Sequence, residues 1–122
     1  MFINFTNHPS ENWLNSQIDA SMVYGEIMDI PFPEVPTGIN ENDLKQMAVE
    51  CVDKIADKNP EAVMVQGEMT LMFMVVDELL RRGIKVLAAT TDRRTIEENI
   101  DGVIIKKSIF EFSGYREYIR IR

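Results

Sequence analysis

Hydrophobic and polar residues follow one another along this chain in a rhythm that predicts strands and helices in turn. Ala62–Arg94 shows it most plainly: a short apolar run AVMVQ, a tight turn at Gln66-Gly67, a helix-length apolar segment over Met69–Arg82, a stop at Gly83, and a second apolar run ending in polar residues. That is a strand–helix–strand unit, and such units cross over right-handed into a parallel sheet. The first half of the helix, Met69, Leu71, Met72, Phe73, Met74, Val75 and Val76, is apolar on nearly every face, as in a helix deep in a core or pressed against another protein. A chain of 122 residues offers little depth, so a second subunit enters as a candidate partner.

The flanking segments extend the same alternation. Phe2–Phe5 reads as a first strand, and Ser10 as the N-cap of a helix over about Glu11–Tyr24 with Trp13, Leu14, Ile18 and Met22 on one face. Gly25 ends it, and Glu26–Ile30 alternates like a second strand. Pro31–Pro36 cannot enter a central strand. Asn40 then caps a helix to about Lys58, with Leu44, Met47, Ala48, Cys51, Val52 and Ile55 inward. Downstream, Thr95-x-x-Glu98 is a capping-box pattern for a short helix ending near Asp101-Gly102. Val103–Ile105 and Ser108–Phe112 read as one interrupted strand or two.

This order predicts a single small doubly wound α/β domain over residues 1–122, three layers thick. Its sheet is mainly parallel, with about five strands in the order 2-1-3-4-5 and the last strand, at the edge, either parallel or antiparallel. In such sheets ligands bind beyond the carboxyl ends of the strands, where the winding reverses. Three polar segments converge there, Thr6–Ser10, Gln66–Thr70 and Thr90–Arg94. The candidate site residues are therefore Asn4, Thr6, Asn7, His8, Gln66, Gly67, Glu68, Thr70, Thr90, Thr91, Arg93 and Arg94. Each has a plainer reading: His8 as a turn residue, Glu68 as a partner of the helix dipole, Arg93 and Arg94 as a solvated pair.

Composition narrows the chemistry. A hydrophobic content of 45% supplies a core, and 27% charged residues without low-complexity tracts argue against disorder. The single cysteine, Cys51, excludes an internal disulfide and suits a reducing cytoplasm. MFINFTNHPS has neither the basic region nor the apolar run of a signal peptide, and no segment has transmembrane character. One histidine and one cysteine, far apart, make no transition-metal ligand set. No phosphate loop, dinucleotide fingerprint or nucleophile elbow is present, so no cofactor is expected. The net charge of −7 disfavours duplex nucleic acid. Residues 1–92 carry six basic and fifteen acidic side chains, residues 93–122 seven and five; a small anion would be met by the C-terminal quarter.

The stretches FINFTNHPS, AVMVQGEMTLMF, VLAATTDRR and IFEFSGYREY resemble the small CRISPR-associated ring nucleases of antiviral defence. The resemblance implies a Rossmann-like, nucleotide-binding cytoplasmic protein, usually a homodimer, that binds and cleaves a cyclic oligoadenylate second messenger. Such a metal-independent phosphodiesterase uses a ribose 2′-hydroxyl to attack its neighbouring phosphorus. An arginine would then meet the phosphate, His8 would donate to the leaving oxygen, and Glu68 would accept a proton. Pairing about a two-fold axis would set two rims side by side, suiting a symmetric ring. A non-catalytic nucleotide-sensing module using the same rim is the alternative.

Overall fold

A computed structural model describes residues 1–122. Five strands, β1 (Phe2–Phe5), β2 (Ile27–Asp29), β3 (Ala62–Val65), β4 (Val86–Ile100) and β5 (Val103–Glu117), form one sheet in the order β2-β1-β3-β4-β5. The first four are parallel and β5 is antiparallel to β4, so the sheet is mixed. Three α-helices, α1 (Asn15–Met22), α2 (Glu41–Ala56) and α3 (Met69–Arg81), cover it.

Strand alternation divides the core. Ile3, Phe5, Val63, Val65 and Val86 point to the side of α2 and α3, where Leu44, Ala48, Val52, Ile55, Leu71, Val75 and Leu79 close over them. Phe2, Ala62, Met64 and Leu87 point to the other side, under Trp13, Tyr24 and Tyr115. Full burial of each large aliphatic or aromatic side chain is worth about 1.5–3 kcal/mol, so the first cluster dominates stability. As expected, α2 is capped by the Asn40 side chain, which accepts from Asp43 N at 2.9 Å. α3 buries Leu71, Val75, Val76 and Leu79 but leaves Phe73 72% exposed. No helix is long and apolar enough to cross a membrane.

Two expected elements are different. The segment predicted as a helix over Glu11–Tyr24 is a 3-10 turn at Ser10–Asn12, an extended Trp13-Leu14 link, and then α1. Ser10 caps nothing: its N–H donates to Asp29 Oδ2 at 3.0 Å. The Trp13 ring is held edge-on to Phe2, centroids 6.3 Å apart, and that contact outweighs helix continuation. The second departure is larger. The Thr95–Gly102 helix does not form, because β4 runs straight through it and turns at Asp101 (φ 51°) and Gly102 (φ 81°) into β5. Asp-Gly between Ile100 and Val103 is a two-residue hairpin signal whose positive φ angles suit the strand twist. Fourteen cross-strand pairs outweigh one helical turn with a capping box.

Candidate functional site

At the carboxyl end of β1 the chain turns through Thr6–Ser10, and a buried side chain shapes that turn. Asn4, 1% exposed, accepts from Thr6 Oγ1 at 2.7 Å and donates through Nδ2 to the His8 carbonyl at 2.9 Å and to Asp29 Oδ1 at 3.0 Å. His8 N donates to Thr6 Oγ1 at 3.1 Å, and Trp13 Nε1 adds a second bond to the His8 carbonyl at 3.2 Å. Asn4, expected to face a ligand, is thus the internal brace of the loop. Asp29, on β2, secures both ends of that brace through Asn4 and Ser10.

Beside this loop lies a cleft of about 350 Å³, lined by Thr6, His8, Asn12, Trp13, Gln17, Met64, Gln66, Thr91, Phe110 and Phe112 among others. It opens where β1, β3 and β4 end or leave the sheet. Of the residues singled out in sequence, Thr6, His8, Gln66 and Thr91 meet here. Its lining carries no lysine, arginine or carboxylate. Tyr115 fixes one wall: its hydroxyl bonds Ser21 Oγ at 2.7 Å and Gln17 Nε2 at 3.3 Å, tying α1 to β5. Burial pushes the Tyr115 phenol above its ordinary range, against the opposing effect of those bonds.

Other candidates lie elsewhere. Glu68 and Thr70 border a different depression with Val35, Pro36 and Leu44. The Glu68 carboxylate caps α3, accepting from Leu71 N at 2.9 Å, Thr70 N at 3.0 Å and Thr70 Oγ1 at 2.7 Å. Those bonds, Leu71's first, hold its carboxyl below the usual range, which makes it a weaker base. Gly67 serves packing, since a Cβ there would fall 2.4 Å from the Phe32 ring. Asn7 is exposed beside the cleft without lining it. Thr90 Oγ1 donates to the Gly114 carbonyl at 2.9 Å, next to the irregularity between Thr90 and Thr91.

The third polar segment is strand rather than loop, and this separates the two arginines. Arg93 pairs directly with Phe110 and Thr91 with Phe112; paired residues share a face, so Arg93 stands on the cleft's face, one pair beyond Thr91. Its guanidinium donates to Ser108 Oγ at 3.1 Å and 3.3 Å. Arg94 is on the opposite face, in an ion pair with Glu111. Phe110 and Phe112 escaped the sequence reading as site residues, although the alternation in Ser108–Phe112 puts both on one face. No three His, Cys, Asp or Glu side chains gather into a metal-binding group.

The pattern of the family described as "Uncharacterized protein MJ1673 family" matches residues 1–116. The chain belongs to that family. It is also similar to the Holliday junction branch migration ATPase PINA of Sulfolobus acidocaldarius, with 35% identity over 101 residues that take in 83% of this chain and 17% of the ATPase. The chain therefore spans only about a sixth of that relative's length.

Proposed function

We propose that the protein binds a nucleotide in the cleft between the Thr6–Ser10 loop, Gln66 and the base of the β4–β5 hairpin. The carrying observation is the lining itself: Trp13, Phe110 and Phe112 beside Asn12, Gln17, Gln66 and Thr91. Aromatic faces stack bases at about 1–3 kcal/mol each, while amides and hydroxyls suit base edges and ribose. The order 2-1-3-4-5, with a cleft at the carboxyl ends of the strands, supports a Rossmann-like reading. Resemblance to the ring nucleases makes a cyclic oligoadenylate the expected ligand and CRISPR antiviral defence in the cytoplasm the expected setting.

In the catalytic form of this reading, a ribose 2′-hydroxyl attacks the adjacent phosphorus and the 5′-oxygen leaves, producing a 2′,3′-cyclic phosphate. His8 donates the proton to the leaving oxygen, Gln66 and Thr91 hold the attacking ribose in line, and Arg93 swings from Ser108 to the phosphate. Glu68, tied to α3, takes no part, so the attacking hydroxyl gives its proton to solvent water as the phosphorus–oxygen bond forms. A lining without lysine or arginine favours the second form, binding without cleavage, because charge developing on the phosphate would be met only by Arg93, which lies outside that lining. The similarity to PINA adds the thought of a module related to nucleic-acid work, but the chain's acidic balance opposes direct duplex contact.

Incubation with cyclic tetra-adenylate, followed by chromatography and a binding titration, tests these forms. A linear product ending in a 2′,3′-cyclic phosphate supports cleavage, and activity should then persist in excess EDTA. For a general acid, His8→Ala should slow that turnover by roughly 10²–10⁴-fold. Binding of the intact ring supports the sensing form. No binding of the ring or of adenine mononucleotides would overturn the reading.

A further inference from the structure

Most polar groups lining the cleft turn freely. Gln66, Asn12 and Thr91 are exposed, and a free amide or hydroxyl presents donor or acceptor as a ligand requires. Gln17, half-buried on α1, does not share that freedom.

Counting hydrogens fixes its sense. Ser21 Oγ lies 2.7 Å from the Gln17 backbone carbonyl. A carbonyl only accepts, so the single Ser21 hydroxyl hydrogen is spent there. Ser21 is 0% exposed, and its hydroxyl has no solvent alternative. In the 2.7 Å contact between Ser21 Oγ and Tyr115 Oη, Tyr115 is therefore the donor. Burial pushes the phenol above its ordinary range, so that hydrogen is in place at neutral pH. Having given it away, Tyr115 can only accept from Gln17, and the atom 3.3 Å from it is the amide nitrogen. The second Nε2 hydrogen has Met64 Sδ, a weak acceptor, at 3.8 Å. Turning the amide over would set Gln17 Oε1 against the Tyr115 oxygen with no hydrogen between them. Nor can Tyr115 step aside, since its ring packs on Phe2 and Phe112 with centroids 5.4 Å and 5.0 Å away.

Oε1 is what remains. It accepts no bond within the protein, and no buried side-chain oxygen is left without a partner. It therefore reaches solvent, on a residue that lines the cleft. We propose that Gln17 selects the base bound in the cleft, as a fixed acceptor that takes an exocyclic amino group and turns away a keto oxygen. This rests on the nucleotide reading above. Adenine and cytosine carry such an amine, whereas hypoxanthine and uracil hold oxygen at the same position. An oxygen there would face lone pairs with lone pairs and strip Oε1 of water without replacing it. The class is wider than the adenine ring implied by the sequence resemblance, because cytosine qualifies equally. Tyr115 and Ser21 are positioning residues, acting through the amide.

Calorimetric titration of the full chain with the 5′-monophosphates of adenosine, inosine, cytidine and uridine tests this. Within each purine or pyrimidine pair the ring shape is shared and an amine is exchanged for oxygen. Wild type should bind AMP roughly tenfold or more tighter than IMP, and CMP tighter than UMP by a similar factor. Tyr115→Phe keeps the ring and removes the oxygen that orients the amide, so the ratio of AMP to IMP affinity should shrink to about threefold or less while binding survives. Gln17→Met, which removes the acceptor itself, should shrink the same ratio without disturbing Tyr115. Equal wild-type affinities for AMP and IMP would overturn the proposal and leave nucleotide binding standing. A ratio that neither variant changes would also overturn it, by assigning base choice to another group. No affinity for any of the four would overturn the nucleotide reading, and this proposal with it.

Discussion

Gly67→Ala separates packing from ligand contact in the turn between β3 and α3. A methyl group there falls 2.4 Å from two carbons of the Phe32 ring and 2.5 Å from a third. Apolar carbons rest about 3.5–4 Å apart, so the ring must retreat by roughly 1 Å. It has little room, being 4% exposed and tilted against Phe5 at 5.0 Å between centroids. Overpacking of this kind costs about 1–3 kcal/mol. Loss of glycine freedom in the unfolded chain opposes it by about 0.4–1 kcal/mol, leaving a net loss on the order of 1–2 kcal/mol. Urea denaturation of Gly67→Ala, Phe32→Leu and the double variant measures it. Because the leucine vacates the space the methyl needs, the double variant should be more stable than the sum of the singles by about 1 kcal/mol or more. Additive losses, or a Gly67→Ala protein as stable as wild type, would refute the clash. Lowered nucleotide affinity with unchanged stability would instead restore Gly67 to the ligand.

Three further outcomes are expected. Asn4→Ala should cost about 2–4 kcal/mol in urea melts, through three lost hydrogen bonds, one to a carboxylate; amide exchange in Thr6–Ser10 should quicken. Arg93→Ala should weaken nucleotide binding in a calorimetric titration by about 1–3 kcal/mol, and Arg94→Ala, on the far face, should leave it unchanged; equal effects would dismiss the face assignment. Glu68 is held below its unfolded pKa, so its stabilisation is fully present above about pH 4.3 and fades as pH falls through the lowered folded value. Glu68→Gln should therefore be less stable at neutral pH and show a flatter acid limb in pH-dependent melts, with the two curves converging in strong acid.

Local pattern was enough wherever an element answered to its own residues. The burial period of α2, its Asn40 cap, the β3–α3–β4 unit and the strand order all follow from alternation, caps and the handedness of crossovers, which act over a few residues at a time. The loops after β1 and β3 were likewise legible as polar segments following apolar strands, and Thr6, His8, Gln66 and Thr91 do share a cleft. Tertiary structure decided what those side chains face. Asn4 turns inward because β2 brings Asp29 beside it, a neighbour 25 residues away. Gly67 meets Phe32 because the proline-rich loop crosses the turn. Thr95–Ile100 carries both a helix cap and a strand alternation, and the choice fell to the opposite strand, whose cross-strand pairs no local reading of the segment contains. That same pairing brought Phe110 and Phe112 to the cleft and sent Arg93 and Arg94 to opposite faces. Residues adjacent in sequence share a loop's neighbourhood, but in a strand they part by the period of two.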